Sequence, residues 1–66
     1  MNFSKSVEAA RNIKPMTQQE MADVLSLKQA FVSRQIKQEE VKRKAWNDYA
    51  KIFEMTVIEF ISLGVE

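Results

Sequence analysis

Residues 16–37 read MTQQEMADVLSLKQAFVSRQIK, and their reading decides the fold. Thr17 is a good helix N-cap, and Glu20 stands three residues later, which makes a capping box. Met16 and Met21 occupy the two positions of a hydrophobic staple. Met21, Ala22 and Leu25 form the apolar stripe of that helix, and Ala22 is small enough to let another helix come close. Ser-Leu-Lys follows as a turn, and the apolar Leu27 predicts that the turn folds onto the core. A further helix then covers about 28–37, with Val32 and Ile36 as its apolar pair. Counting about 100° per residue from Val32, Ile36 lies about 40° away, whereas Lys37, Ala30 and Arg34 lie about 140°, 160° and 200° away. Phe31 and Ser33 fall on the flanks. The outward face of this second helix is small, polar and basic, and the helix carries no acid.

Outward from that pair, helices continue. Phe3, Val7, Ala10 and Ile13 recur at helical spacing over about 3–13, and Pro15 ends the segment by disfavouring helix at Lys14. Residues 38–44, QEEVKRK, lack an apolar stripe and read as a linker, although nothing in them breaks a helix. Trp46, Tyr49, Ala50 and Phe53 share one face of a helix over about 45–54, with Ile52 beside them. MTVIEF then repeats the earlier start signal: Thr56 and Glu59 form a capping box, and Met55 and Phe60 a staple. A helix over about 56–62 ends near Gly64. Strand signals are absent: there is no alternating β-branched run and no Asn-Gly or Asp-Gly hairpin. The expectation is one all-α domain of five short helices over residues 1–66.

Composition narrows the function. The chain has no cysteine and no histidine, which removes disulfides and the usual zinc sites and leaves thiol or metal catalysis without support. Glu39 and Glu40 are adjacent in a charged segment with no sign of a pocket, and no glycine-rich phosphate loop is present. The chain is expected not to be an enzyme and to need no cofactor. No apolar run approaches the roughly 20 residues that span a bilayer, and the charged N-terminus does not resemble a signal peptide, so the expected setting is the cytoplasm. Net charge is only +1, but its distribution is uneven. Residues 1–27 balance to zero, residues 28–44 hold six bases against two acids, and residues 45–66 hold one base against four acids. A positive band of this kind either attracts phosphate backbones or is a solvated face.

The segments ARNIKPMTQQEMADVLSLKQAFVSRQ (10–35) and YAKIFEMTVIEFI (49–61) resemble the helix-turn-helix domain of the phage repressor and Cro proteins, the Xre family. The Thr-Gln-x-Glu start, Met21, Ala22 and Leu27 stand at family spacing in the first segment. The second is similar to the family's closing helix, turn, Ser/Thr cap and last short helix. The resemblance implies a lambda-repressor-like fold in which the third helix enters the major groove of double-stranded DNA and the second lies across the backbone.

Residue by residue, the resemblance places Gln29, Ala30, Ser33 and Arg34 at base edges. Glutamine can pair with adenine and arginine with guanine. Gln18, Lys28, Lys37, Lys42, Arg43 and Lys44 become candidates for phosphate contact, which sets register without reading sequence. Phe31 either packs on a thymine methyl or packs on the domain. Ile58, Leu63 and Val65 either form the surface of a weak homodimer on a two-fold operator or finish the core. The implied function is a sequence-specific transcriptional regulator of the Cro/repressor type, too short to add an effector domain. The alternatives are an antirepressor that binds a partner repressor protein, or the antitoxin of a toxin–antitoxin pair.

Three departures from the family stand out. Ser26 occupies a turn position that commonly holds glycine. Ile36 stands where many members place an acid to pair with the first-helix arginine, here Arg11, which leaves Glu39, Glu40 or solvent as its partner. No Gly or Asn follows the third helix, so that helix is free to run on into 38–44.

Overall fold

Side chains cap three of the helices in the computed structural model, which describes residues 1–65. Asn2 accepts from the Lys5 amide at 3.1 Å and opens α1 (Phe3–Ile13). Thr17 opens α2 (Gln18–Leu25): its hydroxyl accepts from the Glu20 amide at 3.1 Å, and the Glu20 carboxylate accepts from the Thr17 amide at 2.9 Å. Thr56 and Glu59 repeat this box with bonds of 3.1 and 3.0 Å at α5 (Val57–Leu63). The other two helices, α3 (Gln29–Gln35) and α4 (Arg43–Ile52), begin at Lys28 and Lys42 without a side-chain cap bond. The described residues contain five helices and no strand, so the chain is all-α.

The helices α2 and α4 stop by the same device. Ser26 adopts φ 57°, ψ 40°, and Glu54 adopts φ 58°. At each, the next amide reaches back five residues. Leu27 donates to Ala22 O and Met55 to Ala50 O, both at 2.9 Å, while Ser26 and Glu54 donate to Asp23 O and Lys51 O at 3.3 and 3.0 Å. This is the Schellman pattern, with Ala at the accepting position both times. Neither left-handed position holds glycine.

Gly64 closes α5 at φ −98°, which any residue can adopt. Its need for glycine is close approach. A Cβ there would lie 2.4 Å from the Asn2 carbonyl oxygen and 2.3 Å from Ser6 Oγ, so α5 and the start of α1 nearly touch.

The core joins an aromatic half to an aliphatic half. Phe3 of α1 meets Trp46, Tyr49 and Phe60 edge-to-face at centroid distances of 5.1, 5.0 and 6.0 Å, and Phe53 stacks on Phe60 at 5.9 Å. Each such pair contributes about 0.5–1.5 kcal/mol beyond its area. Met21, Ala22, Val32 and Ile36 continue the core beneath α2 and α3, and Met16 and Met55 pack on it as staples. The Phe3 amide also donates to Glu39 O at 2.9 Å, which ties the segment after α3 to the start of α1.

Three sequence expectations change, and one open alternative, a longer α3, is closed. Ile13 is 64% exposed, because the buried stripe of α1 is Phe3, Ser6, Val7 and Ala10 and ends before it. Leu27 is 40% exposed rather than folded onto the core; its Schellman partner is Ala22, whose methyl covers little of it. Helix α3 stops at Gln35 and does not run into 38–44. Helix α4 starts at Arg43, so Lys42, Arg43 and Lys44 form its cap and first turn instead of a linker.

Candidate nucleic-acid interface

Helix α3 is the least enclosed element. Val32 is its one buried residue, and Ile36, just past its end, is 8% exposed; these two fasten it to the core. It packs on α2, while α1, α4 and α5 hold one another. With the phase fixed by Val32 and Ile36, Gln29, Ala30 and Arg34 emerge on the exposed side, Lys28 precedes them and Lys37 follows, all exposed. Ser33 is half-buried on one flank. Phe31 is 42% exposed on the other. Arg34 sits in the last turn, where a cation suits the negative end of the helix dipole. The nearest acids in sequence, Glu39 and Glu40, are exposed and lie beyond the helix.

The phosphate candidates separate into two groups. Gln18, the first residue of α2, is half-buried and lines a groove with Lys37, Arg11, Met16 and Thr17. Glu8 and Glu20 border the same groove and temper its positive charge. Lys42, Arg43 and Lys44 gather at the start of α4. That end already carries the positive pole of the helix, so three cations there concentrate potential rather than cancel it. Lys42 and Lys44 line a second groove together with Phe31, while Arg34 shares a depression with Phe31, Gln35 and Gln38.

Arg11 pairs with neither Glu39 nor Glu40 through its Nε. Its Nε donates to the Met16 carbonyl oxygen at 2.9 Å, which braces the turn between α1 and α2 against α1. A backbone acceptor leaves no signal in residue identity. The ion pair between Lys14 and Glu54 likewise ties the end of α1 to the turn after α4.

At the C-terminal end, Leu63 packs against the core, whereas Ile58 and Val65 are 74% and 60% exposed. Among the described residues no group of His, Cys, Asp and Glu is placed to hold a metal ion, and no helix is long and apolar enough to cross a membrane.

The arrangement can present one polar, acid-free helix with cations at both ends. An α-helix is about 10–12 Å across with its side chains, and the major groove of B-DNA is about 12 Å wide. No family model, no curated protein and no solved structure matches the chain.

Proposed function

We propose that the chain is a sequence-specific DNA-binding transcriptional regulator of the Cro/repressor type, with α2 and α3 as a helix-turn-helix pair and α3 in the major groove. The observation that carries this reading is the exposed face of α3, where Gln29, Ala30 and Arg34 lie between Lys28 and Lys37 with no acid on the helix. Gln29 and Arg34 have the donor and acceptor geometry for adenine and guanine edges. Lys28, Lys37 and the Lys42–Lys44 cluster supply sequence-independent attraction to phosphates.

One copy reads a short site. Its longest dimension is 29 Å, less than the roughly 34–36 Å between successive major-groove faces on one side of the duplex. Useful affinity therefore requires at least two copies side by side.

Selection of binding sites from a random duplex pool tests the proposal. Enrichment of a defined motif is expected. Arg34→Ala is expected to relax the preference at one base position and to weaken binding by about 1–3 kcal/mol. Lys37→Ala is expected to weaken binding to all sequences and to lower the salt slope by about one. A folded, helical protein that enriches nothing would sink the reading.

A further inference from the structure

Leu27 and Phe31 are large apolar side chains that the fold leaves half in water. They are 40% and 42% exposed and stand four residues apart, one before α3 and one within it. Both line the groove that Val41, Lys42 and Lys44 also line. Neither is needed to fasten the helix, because Val32 and Ile36 carry that burial.

Phe31 belongs to two surfaces at once. It borders the depression that holds Arg34, Gln35 and Gln38, and it borders the groove that holds Lys42 and Lys44. On the proposed reading Arg34 meets a base edge, and the exposed Lys42 and Lys44 meet phosphates. A side chain shared by those two surfaces lies between base edge and backbone. In the major groove, the apolar group that a base pair offers is the 5-methyl of thymine.

Charge agrees with a neutral group at this place. Two bases and two acids line the groove, Lys42 and Lys44 with Glu40 and Asp48, so its lining has no net charge with which to hold an ion. The lysine ammonium groups end flexible four-carbon stems and reach phosphates outside the groove. A methyl group asks only for apolar cover, which Leu27 and Phe31 supply.

We propose that Leu27 and Phe31 form an apolar lip that reads the 5-methyl group of a thymine beside the base met by Arg34. The inference rests on the DNA-binding reading and adds a chemical preference to it. A pyrimidine methylated at position 5 is favoured over one that is not, so 5-methylcytosine satisfies this contact and uracil does not.

The test measures binding of the full chain to the duplex enriched by site selection, with each thymine replaced in turn by uracil. This removes the methyl and leaves base pairing intact. At one position, beside the base whose preference Arg34→Ala relaxes, the replacement is expected to weaken binding about fourfold, the worth of one methyl leaving apolar cover. Leu27→Ala and Phe31→Ala are each expected to shrink that thymine-to-uracil ratio, and together to bring it below about twofold. The ratio is taken within one variant, so any loss of folded protein affects both duplexes alike and cancels. A cytosine–guanine pair at the same position is expected to bind more tightly, again about fourfold, when its cytosine is methylated. A motif without thymine beside the Arg34 base, an absent uracil effect, or a uracil effect that survives the double variant overturns this inference and leaves the DNA-binding reading standing. A folded chain that enriches no motif overturns both.

Discussion

Gly64→Ala separates the two reasons a chain keeps a glycine. The backbone at Gly64, φ −98° and ψ 5°, is open to alanine, so the substitution adds no torsional strain. It adds one methyl in a place already filled. That methyl would lie 2.3 Å from Ser6 Oγ, 2.4 Å from Asn2 O and 3.2 Å from Ser6 N, against about 3.5–4.0 Å for an unstrained contact. The Ser6 hydroxyl can rotate, although it is fully buried. The Asn2 carbonyl cannot, because it accepts the Ser6 amide at 3.0 Å in the first turn of α1. The end of α5 must therefore move away from α1, and this loosens the Phe3–Phe60 contact at 6.0 Å.

Overpacking of this kind costs about 1–3 kcal/mol, and a backbone obstacle puts Gly64→Ala at the upper end, about 2–3 kcal/mol. A domain of 66 residues has roughly 3–10 kcal/mol in all. Each kcal/mol corresponds to about 4–8 °C in Tm for a domain this small, so a fall of about 10–20 °C is expected. Thermal and urea unfolding followed by far-ultraviolet circular dichroism measures it. Ser6→Ala alone removes a buried hydroxyl that has no partner among the described residues and is expected to be close to neutral. Added to Gly64→Ala, it is expected to recover only the part of the loss due to Oγ. Full recovery in the double variant, or a loss below about 0.5 kcal/mol in Gly64→Ala, would refute the close-approach argument.

The converse substitution, Ser26→Gly, relieves a left-handed backbone at φ 57° and is expected to raise stability by about 1 kcal/mol in urea unfolding; an unchanged midpoint would contradict it. Glu59 has its carboxyl held below the usual value of 4.5 by hydrogen bonds from the backbone and side chain of Thr56. A depressed carboxyl contributes stability above its unfolded value that is lost as pH falls through its folded one, so Tm is expected to drop below about pH 4.5, less steeply in Glu59→Gln. Burial pushes the Tyr49 hydroxyl up to about 12, with the Asp48 charge adding to it. A raised hydroxyl favours the native state until pH passes the unfolded value near 10, so stability is expected to fall between about pH 10 and 12. Tyr49 is the one tyrosine in the chain, and ultraviolet titration reads it directly; ionisation near 10 in the folded protein would contradict its burial.

Signals within three to five residues were legible in the sequence. Both capping boxes and both staples stand where Thr-x-x-Glu placed them, because each bond joins near neighbours. The outward side of α3 was legible for a similar reason: Val32 and Ile36 set the phase, and Ala30, Arg34 and Lys37 follow from it. Features set by distant partners were not legible. Periodicity cannot say where a bundle ends, so Ile13 looked like core. Glu54 gave no sign of a left-handed turn, and Arg11 finds a carbonyl oxygen that no residue type announces. The basic run 42–44 looked like linker because an uncapped first helical turn needs no apolar stripe.

The candidate reading surface is consequently held by residues that lie outside it. Helix α3 has seven residues, no side-chain cap and a single buried side chain, while isolated helices shorter than about 12–15 residues are marginal in water. Its order is borrowed from α2 through the Schellman turn at Ser26 and the burial of Val32 and Ile36. The order of α2 comes in turn from the Thr17 box and from Arg11, which fixes Met16 one residue before the cap. A change at Arg11 or Ser26 therefore alters the aim of Gln29 and Arg34 without touching either. On the proposed reading this supplies the means of separating aim from chemistry: Arg34→Ala is expected to remove one contact and leave the others, whereas Arg11→Ala is expected to displace every contact made by α3 together.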